Sequence, residues 1–248
     1  MSAKDLIVRP ITSAVANELI RRVHYSGTVG HAPQVNLGVY WNGRLEGAVQ
    51  FGQSVDKRRM LGLVRGTEWQ HFMELNRLAF TEALPRNSES RALGVAFRLL
   101  RQHVPQVKWI VSYADATACG DGAVYRACGF VLTGIRENRT ILVFPDGERV
   151  AGPILSNPRM AKRTALARKW GADISGGGAS VQPFIRAGAR HAPGYQLRYI
   201  RFLDPTWADR LTVPVIPFDQ IPADARMYRG EKRQPVGGAG VHPEAGGA

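Results

Sequence analysis

This chain of 248 residues is short of cysteine, of acid and of long apolar runs. Its two cysteines, Cys119 and Cys128, are too few for a disulfide framework, which points to a reducing setting. No apolar stretch reaches the roughly 18 residues that a membrane helix needs, and the first residues lack the basic and apolar regions of a secretory signal. A cytoplasmic protein with no membrane partner is expected. The six histidines, at 24, 31, 71, 103, 191 and 242, have no H-x-x-x-H spacing, and no C-x-x-C pair accompanies them. Zinc-like chemistry is therefore not indicated, and no metal ligand is assigned. A redox iron on mixed His, Tyr and Asp ligands is left open.

The scarcity of acid is the most informative absence. Twenty Asp and Glu face 33 Lys and Arg, a formal charge of +13. The imbalance is concentrated: residues 151–203 carry nine Lys and Arg against one acid, Asp173. Such a field draws polyanions, and nucleic acid is the commonest in a cytoplasm. What is abundant is apolar: 44% of residues are hydrophobic, enough for a sizeable core.

The first 150 residues alternate between strand and helix periods. "LIVRPI" (6–11) reads as a strand, and Ser13 as the cap of a helix to about Val23, with Val15, Leu19 and Val23 on one face. Residues 36–54 read as two strands around Asn42-Gly43, a strong hairpin signal. "FMELNRLAFT" (72–81) is a further strand. "SRALGVAF" opens a helix with Leu93, Ala96, Phe97, Leu100 and Val104 in one stripe. "VKWIVSYADA" (107–116) reads as a buried strand and "GDGAVYRACG" (120–129) as a short helix. "FVLTGI…RTILVF" (130–144) reads as a closing hairpin. This order predicts one mixed sheet flanked by helices, an α/β (α+β) fold.

The remainder differs in kind. Residues 157–171 predict a basic helix, a glycine-rich loop follows, and "YQLRYIRFLD" (195–204) predicts a strand with alternating arginines. The expected division is a catalytic core over 1–150, a basic C-terminal elaboration over 151–227 packed on it, and a disordered tail over 228–248. In the elaboration Lys162, Arg163, Arg168, Lys169, Arg198 and Arg201 are the expected nucleic-acid contacts.

A glycine inside a helix costs about 1 kcal/mol relative to alanine. At Gly94 the expected gain is room for a phosphate-bearing ligand at a helix start, where bare N–H groups and the dipole favour an anion. Strand, loop, then Arg91-x-x-Gly94-x-Ala96 resembles the pyrophosphate-cradling motif of the GNAT superfamily of acyltransferases. That resemblance implies a donor site at Ser90, Arg91, Gly94 and Ala96. "Tyr125-Arg126-Ala127-Cys128-Gly129-Phe130" resembles a second GNAT passage, whose tyrosine faces the donor thioester and protonates the leaving thiolate.

Four passages taken together are more specific: "HYSGTVG" (24–30), "FMELNRLAF" (72–80), "SYADATACGDGAVYRACGFVLTG" (112–134) and "YQLRYIRFLD" (195–204). In this order they resemble the Mom family of bacteriophage DNA-modification proteins, which are GNAT-like, over about residues 5–210. The resemblance implies an enzyme that converts adenine in double-stranded DNA to N6-carbamoylmethyladenine and so protects a phage genome from restriction. Two other readings are an inactive GNAT scaffold serving as a DNA-binding, anti-restriction module, and a protein N-acetyltransferase.

Roles for individual residues follow. Tyr113, Asp115 and Tyr125 are expected where a strand end meets the next helix, the usual ligand crevice of α/β sheets. Asp115 is suited to accept a proton from the adenine amine. Arg77, alternating with apolar residues, needs an anionic partner such as Glu74, Asp115 or a phosphate. Tyr25 is suited to stack on an extruded base, with His24 and Ser26 beside it on the nucleic acid. The donor is open between two chemistries. Carbamoylmethylation adds C2H3NO, the composition of a glycyl residue, whereas acetyl transfer from acetyl-CoA supplies no nitrogen. A glycyl-tRNA satisfies the atom count, and the charge of +13 suits tRNA as well as DNA.

Overall fold

The computed structural model describes residues 3–24, 26–116 and 120–223. The tail expected over 228–248 lies outside them. The chain opens with β1 (Ile7–Pro10) and α1 (Ser13–Val23), followed by β2 (Pro33–Trp41) and β3 (Arg44–Gly52). The β2–β3 turn is formed by Asn42 (φ 48°) and Gly43 (φ 76°), the two left-handed positions that an Asn-Gly hairpin supplies. The cap of α1 is Thr12 rather than Ser13: its hydroxyl accepts from Val15 N. Ser13 is the first helical residue and instead accepts from Asn36 Nδ2 at 2.9 Å. Ala16, Leu19 and Ile20 are the face buried on the sheet, while Val15 is turned to solvent.

A short α2 (Lys57–Leu61) leads to β4 (Phe72–Phe80), α3 (Ser88–His103), β5 (Trp109–Asp115), α4 (Ala123–Ala127) and β6 (Val131–Glu137). The stripe read from sequence holds in α3, with Leu93, Ala96, Phe97 and Leu100 in the main core. The chain continues through β7 (Ile141–Val143), β8 (Arg149–Ala151), α5 (Gly152–Ser156), α6 (Ala161–Trp170), α7 (Gln182–Arg186), β9 (Arg190–His191) and β10 (Tyr195–Phe202).

The main sheet has seven strands in the order β1-β2-β3-β4-β5-β10-β6. Two expectations change here. The segment 130–144 is not a hairpin: β6 pairs with β10, while β7 pairs with β8 and β9 in a separate three-stranded sheet. The cause is local. Asn138 Oδ1 accepts from Thr140 N and Oγ1, a turn that carries the chain out of the sheet. The arginine-bearing strand is likewise not part of an appendage, because β10 lies inside the main sheet between β5 and β6. What stands apart is the stretch between, with its own cluster of Leu142, Phe144, Leu155, Leu166 and Phe184.

One face of the main sheet is covered by α3 and α4, where Leu93, Phe97, Ile110, Ala114, Leu197 and Tyr199 pack together. The other carries Met60 of α2 with Phe72, Trp109, Val111 and Ile200. Phe72 and Trp109 stack there at 4.8 Å.

Candidate active site

β4 and β5 are parallel neighbours for three residue pairs only, from Phe72–Trp109 to Glu74–Val111. Beyond them β4 stays with β3 and β5 stays with β10, so the strands part. The gap becomes a cleft of about 910 Å³, lined among others by Arg77, Tyr113, Asp115, Tyr125, Gln196 and Glu89. Tyr113, Asp115 and Tyr125 thus share one cleft where β5 ends and α4 follows.

Asp115 is the last residue of β5, and its Oδ1 accepts from Asn138 Nδ2 at 2.8 Å. Asn138 is buried at 4% exposure. It is therefore both the residue that turns the chain away and the clamp on Asp115. Tyr113 lies two residues earlier, on the same face of β5 by strand alternation. Its hydroxyl donates to Met60 Sδ at 3.5 Å. Burial, with Glu74 nearby, pushes its pKa up to about 12, so the phenol stays protonated. The Tyr125 hydroxyl donates to the Tyr113 carbonyl at 3.5 Å, and its ring packs 5.3 Å from both Phe130 and Tyr199. Gly122 (φ 77°) starts α4 at close quarters: a Cβ there would stand 2.7 Å from the Tyr199 ring.

Arg77 is close enough to Glu74 to act on its charge, and it also bonds the loop after α1. Its Nε donates to Thr28 O at 2.8 Å, and its Nη2 to Thr28 Oγ1 at 3.1 Å and Val29 O at 3.0 Å. The guanidinium ties the loop after α1 to the cleft wall. In that loop His24 Nδ1 and Ser26 Oγ share a hydrogen bond of 2.8 Å. Burial, then the Arg77 charge, lowers the His24 pKa to about 4. His24 is thus neutral at neutral pH and brings no positive charge to a phosphate. Tyr25 lies outside the described residues.

Asn138 was not singled out from sequence, and Glu74 was named only as a partner for Arg77. Asn138 was hidden because its role depends on the chain leaving the sheet. Glu74, whose pKa is raised by burial against the opposing pulls of Ser54, Arg77, Asn76 and His31, stands where the strands part. Its one signal was a carboxylate three residues from Arg77 in the same strand.

The donor cradle departs from expectation. α3 begins at Ser88, with Asn87 (φ 69°) as its cap, and Arg91 N already donates to Asn87 O at 3.1 Å. Gly94 is the seventh helical residue and Ala96 is fully buried in the core, so neither offers a bare N–H. Ser90 Oγ donates back to Asn87 O, and Glu89 places a carboxylate at the cleft. Arg91 and the open side of Gly94, where an added Cβ would meet nothing within 4 Å, remain accessible. The N–H groups of Gly94 and Ala96 thus lie inside the helix rather than at its free start.

The basic helix is corrected too. Arg163 is 4% exposed and donates to the Leu155 and Gly178 carbonyls at 2.8 and 3.0 Å, so it cannot reach DNA. Lys162 pairs with Glu148 at 3.0 Å, and Lys169 with Asp146 and Glu148. Arg168 is exposed. On β10, Arg201 Nη1 donates to Gly129 O at 2.9 Å, and Arg198 is bonded to Thr133. Among the described residues no group of three or more His, Cys, Asp or Glu is gathered as metal ligands, and no helix is long and apolar enough to cross a membrane.

The model of the Mom protein family matches residues 5–220. Methylcarbamoylase mom of Escherichia phage Mu is 34% identical over 136 residues, 55% of this chain and 56% of that protein. The match thus spans little more than half of that relative's length. Among solved structures, the ribosomal-protein-S18-alanine N-acetyltransferase of Escherichia coli is 11% identical, over 80% of this chain and 94% of the other, with a TM-score of 0.43. An N-acetyltransferase of Staphylococcus aureus is 10% identical, over 80% and 97%, also at 0.43.

Proposed function

The chain belongs to the Mom protein family, and on that premise we propose that it is a transferase converting adenine in DNA to N6-carbamoylmethyladenine. The observation that carries this reading is the clamped carboxylate: Asp115, held by Asn138, faces a cleft of about 910 Å³. That volume lies in the range that encloses a small ligand, about 300–1,000 Å³. The adenine N6 is paired inside the duplex, so the base is extruded into the cleft. Asp115 accepts a hydrogen bond from the exocyclic amine and takes its proton as the nitrogen attacks. The charge of +13 supports a polyanionic substrate.

The donor is an activated acyl group reaching Tyr125 from the side of α3 and α4. A glycyl ester of tRNA balances the product. Adenine N6 displaces the ester oxygen, which leaves with a proton, and forms the N6-glycyl amide. The glycyl amine then adds to C6, giving a five-membered spiro ring. Cleavage of the original C6–N6 bond turns that nitrogen into the terminal carboxamide. The net addition is C2H3NO with no oxidant. The Tyr125 hydroxyl, on the side of α3 and α4, donates to the oxygen that leaves.

Cells expressing the chain are grown on nitrogen-15 glycine and their DNA nucleosides are weighed. The reading expects modified adenine to carry one nitrogen-15 more than the unmodified adenine of the same DNA, whose ring also draws on glycine nitrogen. Modified adenine with no such excess would remove the glycyl donor alone. Unmodified DNA that is tightly bound would favour a binding module, and acetylated protein an N-acetyltransferase.

A further inference from the structure

The face of the sheet turned toward α2 continues past its apolar part into a polar row. By register Tyr113 stands opposite Arg198, and Gln196 stands between Asp115 on one side and Arg136 on the other. Tyr113, Gln196, Arg198 and Arg136, with Glu74, Asp56 and Arg59, line a second cavity of about 280 Å³. It meets the main cleft at Glu74, Tyr113 and Gln196, on the side of the strand gap away from α3 and α4.

Three guanidinium groups border this cavity. Arg198 is held along β6: its Nε donates to Thr133 Oγ1 at 3.0 Å and its Nη2 to Thr133 O at 2.7 Å. Gly134, opposite Arg198 in register, leaves room for it, since an added Cβ would touch the guanidinium carbon at 3.4 Å. The Arg136 side chain makes no hydrogen bond or ion pair among the described residues. Arg59 reaches Asp56 at 3.5 Å in an exposed pair. Burial and the charges of Arg136 and Arg59 hold the Arg198 pKa below its usual value. Arg59 already has Asp56 as a partner, so the unbalanced charge is that of Arg136 and Arg198, which an anion would offset.

We propose that Arg59, Arg136 and Arg198 form a phosphodiester site for the DNA strand that carries the target adenine. The inference rests on the proposed function and adds where the strand is held. Arg136 is two strands from Asp115, about 10 Å at normal strand spacing. That is the reach from a base edge to the phosphate of its own nucleotide. Planar guanidinium forks suit phosphate oxygens. The site therefore sets the nucleotide with its amine at Asp115 and its backbone on the α2 side, leaving the α3 and α4 side to the donor.

The test uses the full chain and a fluorescein-labelled short duplex, read by anisotropy across a salt series, with Arg136→Gln and Arg59→Gln/Arg136→Gln. Affinity for the duplex should fall about ten-fold or more at low salt. The slope of log K against log salt should flatten by about 0.9 for each phosphate that is no longer neutralised. Modification assays should show a raised KM for DNA with kcat at saturation retained. Arg101→Gln, which removes the same charge from the exposed end of α3, should leave the slope unchanged. Unaltered duplex affinity and slope in the double variant would overturn the site, and so would a loss confined to CoA or to aminoacyl-tRNA, which would give it to the donor. If wild-type protein makes no modified adenine, the functional reading fails instead, whatever the binding shows.

Discussion

Asp115 and Asn138 illustrate how one residue of the site depends on another that plays no part in the chemistry. Asn138 commits its carbonyl oxygen to Thr140 and its amide to Asp115. Asp115→Asn, whose amide oxygen still accepts from Asn138, should abolish modification while leaving the melting temperature and duplex affinity nearly unchanged. Asn138→Ala should both lower kcat and destabilise the protein by about 1–3 kcal/mol, through the polar groups left without partners. Thermal melting beside nucleoside analysis separates the two. His24 gives a pH signature. Its folded pKa of about 4 lies below the ordinary 6.5, so the unfolded chain binds the extra proton across that window. Its contribution is complete above pH 6.5 and is lost as pH falls toward 4, on the order of 3 kcal/mol in all. Denaturant titrations at several pH values should show His24→Gln with a flatter acid limb than wild type. Identical limbs would mean that His24 is not buried as described.

At the scale of the element, what could be read in sequence was what is local. The Asn42-Gly43 hairpin, the α3 stripe and the short α4 ahead of Phe130 are set by residues within a few positions of each other. The pairing of β6 was not legible, because its partner β10 arrives about sixty residues later and a nearer apolar run imitates a hairpin. The same distance hid Asn138. Charge in α6 misled for another reason: composition counts a cation but does not show what it faces. Arg163→Ala should cost about 1–3 kcal/mol, since the buried Leu155 carbonyl loses its donor, and should leave the salt slope of DNA binding untouched. In α3, Gly94→Ala should stabilise the protein by about 0.5–1 kcal/mol, since the new Cβ meets open space and glycine is a poor helix former. A destabilised variant would show that this helix face is packed after all.

For the molecule as a whole, the parting of β4 and β5 is the feature on which the others converge. It opens the cleft, brings Asp115, Tyr113 and Tyr125 to its walls, and joins the cleft to the arginine-bordered cavity on the α2 side. The excess of positive charge read from composition then falls into two parts. Some of it is absorbed inside the 139–193 excursion by Asp146, Glu148 and backbone carbonyls, and some faces the site from β6, β10 and α2. The most direct test is mass analysis of nucleosides from DNA of cells expressing the wild-type chain or Asp115→Ala at matched soluble levels. The account predicts adenine enlarged by C2H3NO with the wild type and none with the variant. Equal modification in both, or unmodified DNA with the wild type, would contradict it.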